Sequence, residues 1–123
     1  MDAQKAKTIL IIEDELALVE MYKKKFENSG YKVFTATDGV TGTEMALKEK
    51  PSAILIDLFI PQKDGMAVLV DLRKQLPESK LIIATNLDQP GKEDEAKSKG
   101  ADEYIIKAKY LPSELVGVVE KLL

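Results

Sequence analysis

Five short, largely apolar runs recur along the chain, Thr8–Ile12, Lys32–Ala36, Ala53–Ile56, Leu81–Ala84 and Glu103–Ile106, each separated from the next by a segment of helical length. That spacing is what most narrows the choice of fold. Connections this long do not make tight hairpins, whereas parallel strands require crossovers of this length, usually helical and right-handed. Runs such as TILII and AILI are continuously apolar rather than alternating, as in strands covered on both faces. The pattern predicts a doubly wound α/β domain: five parallel strands with helices on both sides.

The intervening segments carry helix signals. The first places Val19, Tyr22 and Phe26 on one face and closes at Gly30, which can take the left-handed conformation. The second follows Asp38, a good N-cap, and ends near Pro51. The third starts about Gly65, groups Met66, Leu69 and Val70, and stops before Pro77. The fourth, within PGKEDEAKSKG, has only Ala96 to bury and should be the loosest element. The fifth follows Pro112 and aligns Leu115, Val118, Val119 and Leu122. No linker, repeat or low-complexity stretch interrupts the 123 residues, so 1–123 reads as a single domain.

Composition removes whole classes of chemistry. Without cysteine there is no thiol nucleophile or Cys-ligated metal, and without histidine no Ser-His pair, no histidine-held zinc and no phosphohistidine on this chain. The polar start MDAQKAK lacks the apolar stretch of a signal peptide, and no run reaches the roughly 18 apolar residues of a membrane span, which implies a cytoplasmic protein without membrane contact. A net charge of -3, with both signs interspersed, gives no reason to expect direct nucleic-acid binding. The triplet Lys23, Lys24 and Lys25 reads as a solvated helix face.

The apolar run Ile9–Ile12 ends without a turn residue in Glu13, Asp14 and Glu15. Another run, Ala53–Ile56, ends in Asp57. In an open parallel sheet, ligands bind beyond the carboxyl ends of the strands, and the order 2-1-3-4-5 makes the first and third strands neighbours. Glu13, Asp14 and Asp57 then converge, and carboxylates this close suit a divalent cation, Mg²⁺ or Mn²⁺ rather than zinc. Thr85 ends the fourth run and Lys107 the fifth, so a hydroxyl and an ammonium face the same crevice. Cation, carboxylate, ammonium and hydroxyl together suit phosphoryl transfer, with Asp57 as nucleophile. Each residue also has a plainer reading: Asp14 as a helix cap, Glu13 and Glu15 as complements to a helix dipole, Asp57 as a turn former, Thr85 as a strand residue and Lys107 as a surface lysine.

Taken in order, IIEDE, IDLFIPQKDG, AT and GADEYIIK make the chain resemble the receiver domain of two-component response regulators over essentially its whole length, a flavodoxin-like fold. The resemblance implies that Asp57 accepts a phosphoryl group from a phosphohistidine on a histidine kinase or histidine phosphotransfer protein. It implies Mg²⁺ held by Asp14, Asp57 and the backbone carbonyl of Phe59, with Glu13 acting through water. Lys107 contacts the phosphoryl oxygens; Thr85 moves toward them and lets Tyr104 turn inward. The face made by the fourth helix, fifth strand and fifth helix then meets a downstream protein, an output domain or a second copy in a phosphorylation-dependent dimer. Such a domain is a signalling phosphoacceptor, catalysing only its own phosphoryl transfer and slow self-dephosphorylation.

This chain departs from the family pattern at four places. Ala108 follows Lys107 where a cis proline is usual, and a cis bond before alanine costs roughly 2.5 to 4 kcal/mol, so a trans link is expected. Asn86 replaces a smaller residue after Thr85. Phe59 and Leu87 flank the path of a hydrolytic water and are bulky and apolar, which implies slow loss of the phosphoryl group. Leu111, before Pro112, lacks a capping oxygen, which implies a frayed helix start or a residue packed by a partner.

Readings from other classes fit less well. A haloacid-dehalogenase-like phosphatase wants a second aspartate where Phe59 stands, a flavin binder wants a phosphate-receiving first loop where EDELA stands, and glycine-rich nucleotide loops are absent. A receiver-fold docking module that signals without phosphorylation, with Ala108 and Asn86 as its marks, stays open.

Overall fold

The structure, a computed structural model, describes residues 7–86 and 88–123; most of the polar start and Leu87 lie outside the described residues. Strands and helices alternate as β1 (Thr8–Ile12), α1 (Leu16–Asn28), β2 (Lys32–Ala36), α2 (Gly39–Glu49), β3 (Ala53–Ile56), α3 (Gly65–Gln75), β4 (Lys80–Thr85), α4 (Lys92–Ser98), β5 (Glu103–Ile106) and α5 (Pro112–Leu122). All pairings are parallel, as the spacing of the apolar runs implies, and the sheet order is the expected β2-β1-β3-β4-β5.

The unbroken apolar runs are explained by two cores. Successive strand side chains point to opposite faces. Leu10, Ile12, Ile54 and Ile56 therefore pack with Leu69, Leu72 and Ala96 on the α2, α3 and α4 side. Ile9, Ile11, Ala53 and Leu55 pack with Tyr22, Phe26, Leu115 and Val119 on the α1 and α5 side. Because both faces are covered, no position in β1 or β3 can be polar without a partner.

Three local expectations change. In α3 the buried residues are Val68, Leu69 and Leu72, while Met66 and Val70 are half-buried at the helix flank. In α5 Val116 takes the buried place expected for Val118, which is half-buried. The start of α5 is also tied down: Leu111 cannot cap with its side chain, but its backbone N–H donates to Glu114 Oε1 at 2.7 Å. That is one half of a capping box, and it holds the helix start without a hydroxyl. As expected, only Ala96 of α4 is buried.

Loop geometry at the carboxyl edge is set by close backbone approach. A Cβ on Gly65 would lie 2.2 Å from the carbonyl oxygen of Asp57, so only glycine lets α3 start against the end of β3. Asp64 caps this start, accepting from Ala67 N at 3.0 Å. At Gly117, within α5, a Cβ would meet nothing within 4 Å. Gly65→Ala is accordingly expected to destabilise the fold by about 1–3 kcal/mol, and Gly117→Ala to stabilise it by about 0.5–1 kcal/mol. Urea denaturation of the two variants checks both signs.

Candidate functional site

The register of the sheet assembles the site. Ile12 stands opposite both Ala36 and Ile56, so the residues that follow β1 and β3 emerge side by side. Two further ladder bonds hold them there: Glu13 N donates to Ala36 O at 3.0 Å and Asp57 N to Ile12 O at 3.1 Å. One carboxylate oxygen each from Glu13, Asp14 and Asp57 then lies within 4.8 Å of the others. Asp14 is not spent on capping, since Glu15 is the N-cap of α1 and no side chain caps that helix.

The pocket is buried at its base and open at its lip. Glu13 is 4% exposed and Asp57 8%, whereas Asp14 faces solvent. Lys107, 9% exposed, reaches in from the end of β5 and places Nζ 2.5 Å from Glu13 Oε1 and 3.2 Å from Asp57 Oδ2. The remaining carboxylate oxygens of the buried pair are also engaged: Glu15 N donates to Glu13 Oε2 at 3.0 Å, and Phe59 N to Asp57 Oδ1 at 3.3 Å.

These contacts set the protonation equilibria. Burial pushes the Asp57 carboxyl up, with Glu13 adding to the rise; Lys107 and the Phe59 N–H oppose it, and the balance lies at about 6. For Lys107 burial acts downward, but the carboxylates of Glu13 and Asp57 outweigh it and hold the ammonium above its usual range. Three carboxylates against one ammonium leave the pocket short of positive charge. The donor set is hard oxygen throughout, which fits a metal ion with two charges.

The other site residues expected from sequence fall around this pocket. Thr85 is fully buried and is the last residue of β4, opposite Ile106, rather than the first residue after the strand. Tyr104, pictured as turning inward, is already buried against the α3 and α4 core, where burial, Asp88 and Glu93 push its hydroxyl up. Phe59 is 60% exposed beside Asp57. Leu87 lies outside the described residues. The described residues contain no cis peptide bond, so Lys107–Ala108 is trans, within a single 3-10 turn over Lys107–Lys109. The contact between Lys107 and Glu13, 94 residues apart, leaves no mark in the sequence pattern of either segment.

Residues 9–120 match the family model described as the response regulator receiver domain. The chain belongs to that family. Among its relatives, the alkaline phosphatase synthesis transcriptional regulatory protein PhoP of Bacillus subtilis is 33% identical over 95% of this chain and 48% of its own length. The response regulator MprA of Mycobacterium leprae is 30% identical over 94% of this chain and 50% of its own length. The chain thus spans about half the length of the curated relatives it matches. Among solved structures, a CheY-like receiver domain protein from Methanospirillum hungatei superposes with a TM-score of 0.91 at 27% identity, covering 96% of this chain and 94% of that one. The receiver domain of Francisella response regulator 1452 gives 0.86 at 28% identity, covering 94% and 95%. Membership sets aside the phosphatase and flavin-binding readings. No helix among the described residues of this receiver is long and apolar enough to cross a membrane.

Removing the receiver's buried ammonium leaves two desolvated carboxylates unpaired. Lys107→Met is expected to cost about 3 kcal/mol of stability at neutral pH without divalent cations. A urea midpoint unchanged from wild type would show that the pair is not desolvated.

Proposed function

We propose that this receiver takes a phosphoryl group onto Asp57 from the phosphohistidine of a histidine kinase or histidine phosphotransfer protein. The observation that carries the reading is the placement of Asp57: a buried carboxylate at a strand end, touched by Lys107 and flanked by Glu13 and Asp14. In the reaction, an Asp57 oxygen attacks phosphorus, the bond from phosphorus to the donor's imidazole nitrogen breaks, and that nitrogen keeps the electron pair. Lys107 stands where the phosphoryl oxygens arrive and would pair with them, joined by the Thr85 hydroxyl. Asp14, Asp57 and the carbonyl of Phe59 would hold Mg²⁺ or Mn²⁺, with Glu13 acting through water. When bound, the ion supplies positive charge to the transferring oxygens.

Five of the seven large apolar side chains exposed among the described residues, Leu16, Val40, Phe59, Tyr110 and Leu111, lie around the site edge of the sheet. Such a rim favours a protein donor over a small molecule. Phosphorylation would bias Thr85 and Tyr104 and, through them, the surface of α4, β5 and α5, where a downstream protein, an output domain or a second copy would bind; the bias is limited by the group's differential interaction with the two states. We take residues 1–123 as one cytoplasmic receiver domain and a signalling phosphoacceptor, not an enzyme acting on a separate substrate.

Incubation with acetyl phosphate and Mg²⁺ should add one phosphoryl mass to wild type and none to Asp57→Asn, and omission of the metal should suppress the gain. An equal gain in the variant would remove Asp57 from this role. Because Phe59 and Leu87 are bulky and apolar, the phosphoryl group should persist for minutes or longer after the donor is removed; decay within seconds in Mg²⁺ buffer would overturn that assignment.

A further inference from the structure

A further charged cluster lies at the other edge of the sheet, where β4 and β5 begin. Arg73, the chain's only arginine, stands in the last turn of α3. Its Nη1 donates to Gly100 O at 2.9 Å and to Asp102 Oδ2 at 3.2 Å, and its Nη2 donates to Leu76 O at 3.1 Å and to Ser79 O. One guanidinium thus joins three segments: the end of α3, the turn into β4 and the turn from α4 into β5. Asp102 carries the pairing of β4 with β5 one residue further, since Leu81 N donates to its Oδ2 at 2.8 Å and its own N–H donates to Leu81 O at 2.7 Å. The stem of Arg73 is in use as well. A Cβ at Gly100 would stand 2.4 Å from both Cγ and Cδ of Arg73, and Gly100 has a φ of +113°, so the turn after α4 rests directly on this side chain.

We infer that Arg73 is the pivot of α4: it clasps the C-terminal end of that helix to the sheet and to α3, so that a displacement of α4 is a swing of its N-terminal end. The two ends are held differently. At the C-terminal end the N–H groups of Lys99, Gly100 and Ala101 turn back onto α4 carbonyls, Ala101 reaching Ala96 O at 3.0 Å, and the Gly100 carbonyl that this leaves outside the helix is taken by Arg73. At the N-terminal end Gly91 offers no capping side chain, and the pair of Lys109 with Asp88, at 3.7 Å, joins side chains 67% and 73% exposed, where an ion pair contributes little. The clasp is better shielded, with Arg73 and Asp102 side chains 25% and 28% exposed. Arginine suits the task because its planar fork reaches four acceptors at once, whereas a lysine ammonium is a single point on a flexible stem. None of these contacts involves the carboxylate pocket.

Amide hydrogen exchange followed by NMR on the whole chain tests the pivot. Glu95 N donates to Gly91 O at 2.9 Å and Ala101 N to Ala96 O at 3.0 Å, so the two amides are matched in hydrogen bonding and differ in which end of α4 they report. In wild type Ala101 should be protected at least about tenfold more than Glu95, each rate taken relative to that of the unfolded chain. In Arg73→Met, which keeps an apolar stem, and in Arg73→Lys, which keeps the charge, the difference should fall below about threefold. Amides of β1 and β3 should meanwhile lose no more protection than the urea stability of each variant has lost. Equal protection of Glu95 and Ala101 in wild type would overturn the pivot, and that result needs no substitution to fold. A difference that survives in Arg73→Lys would also overturn it, as would a loss spread evenly over α4, β1 and β3.

Discussion

The chemistry of this domain depends on keeping charge where a core ought to be. Glu13, Asp57 and Lys107 are all nearly enclosed, and each would be costly alone. They coexist because the ammonium is shared between the two carboxylates. One positive group cannot balance three negative ones, so the resting site is held together but not neutral. That residual imbalance is what a dication would relieve under the function proposed above.

The scaffold's part is to make these groups meet without freedom to retreat. Hydrogen bonds continue one residue beyond β1 and β3, so Glu13 and Asp57 are still on the sheet when their side chains turn to the pocket. Gly65 brings the start of α3 against the Asp57 carbonyl, and Gly39 does the same for α2 against Lys63, where a Cβ would lie 1.8 Å from the carbonyl oxygen. Stiff supports of this kind allow a short list of side chains to be placed by the backbone rather than by their own rotamers.

Much of this was legible in the sequence, for reasons that particular residues make plain. TILII and AILI point to doubly covered strands because they are short, continuously apolar and separated by helix-length segments, and the position of Asp57 after AILI then follows from topology. What could not be read were choices made by packing between distant elements. Val116 rather than Val118 is buried in the core on the α1 and α5 side, and helical periodicity alone does not fix which edge of an apolar stripe is covered. Glu114 at the start of α5 and Glu13 opposite Lys107 are ordinary acidic residues until their partners are seen. Glu13, Asp57 and Lys107 were legible because each directly follows a strand, whereas the contacts among them depend on the sheet order and on side-chain reach.

One last consequence concerns α4. It is flanked by Gly91 and Gly100, both with positive φ, it buries a single methyl group through Ala96, and its ion pairs lie at the surface. Burial of one methyl is worth only about 0.8 kcal/mol, and salt weakens the rest. Salt concentration and temperature should therefore reach this helix before the other described helices, so that it behaves as a thin hinged panel on the sheet.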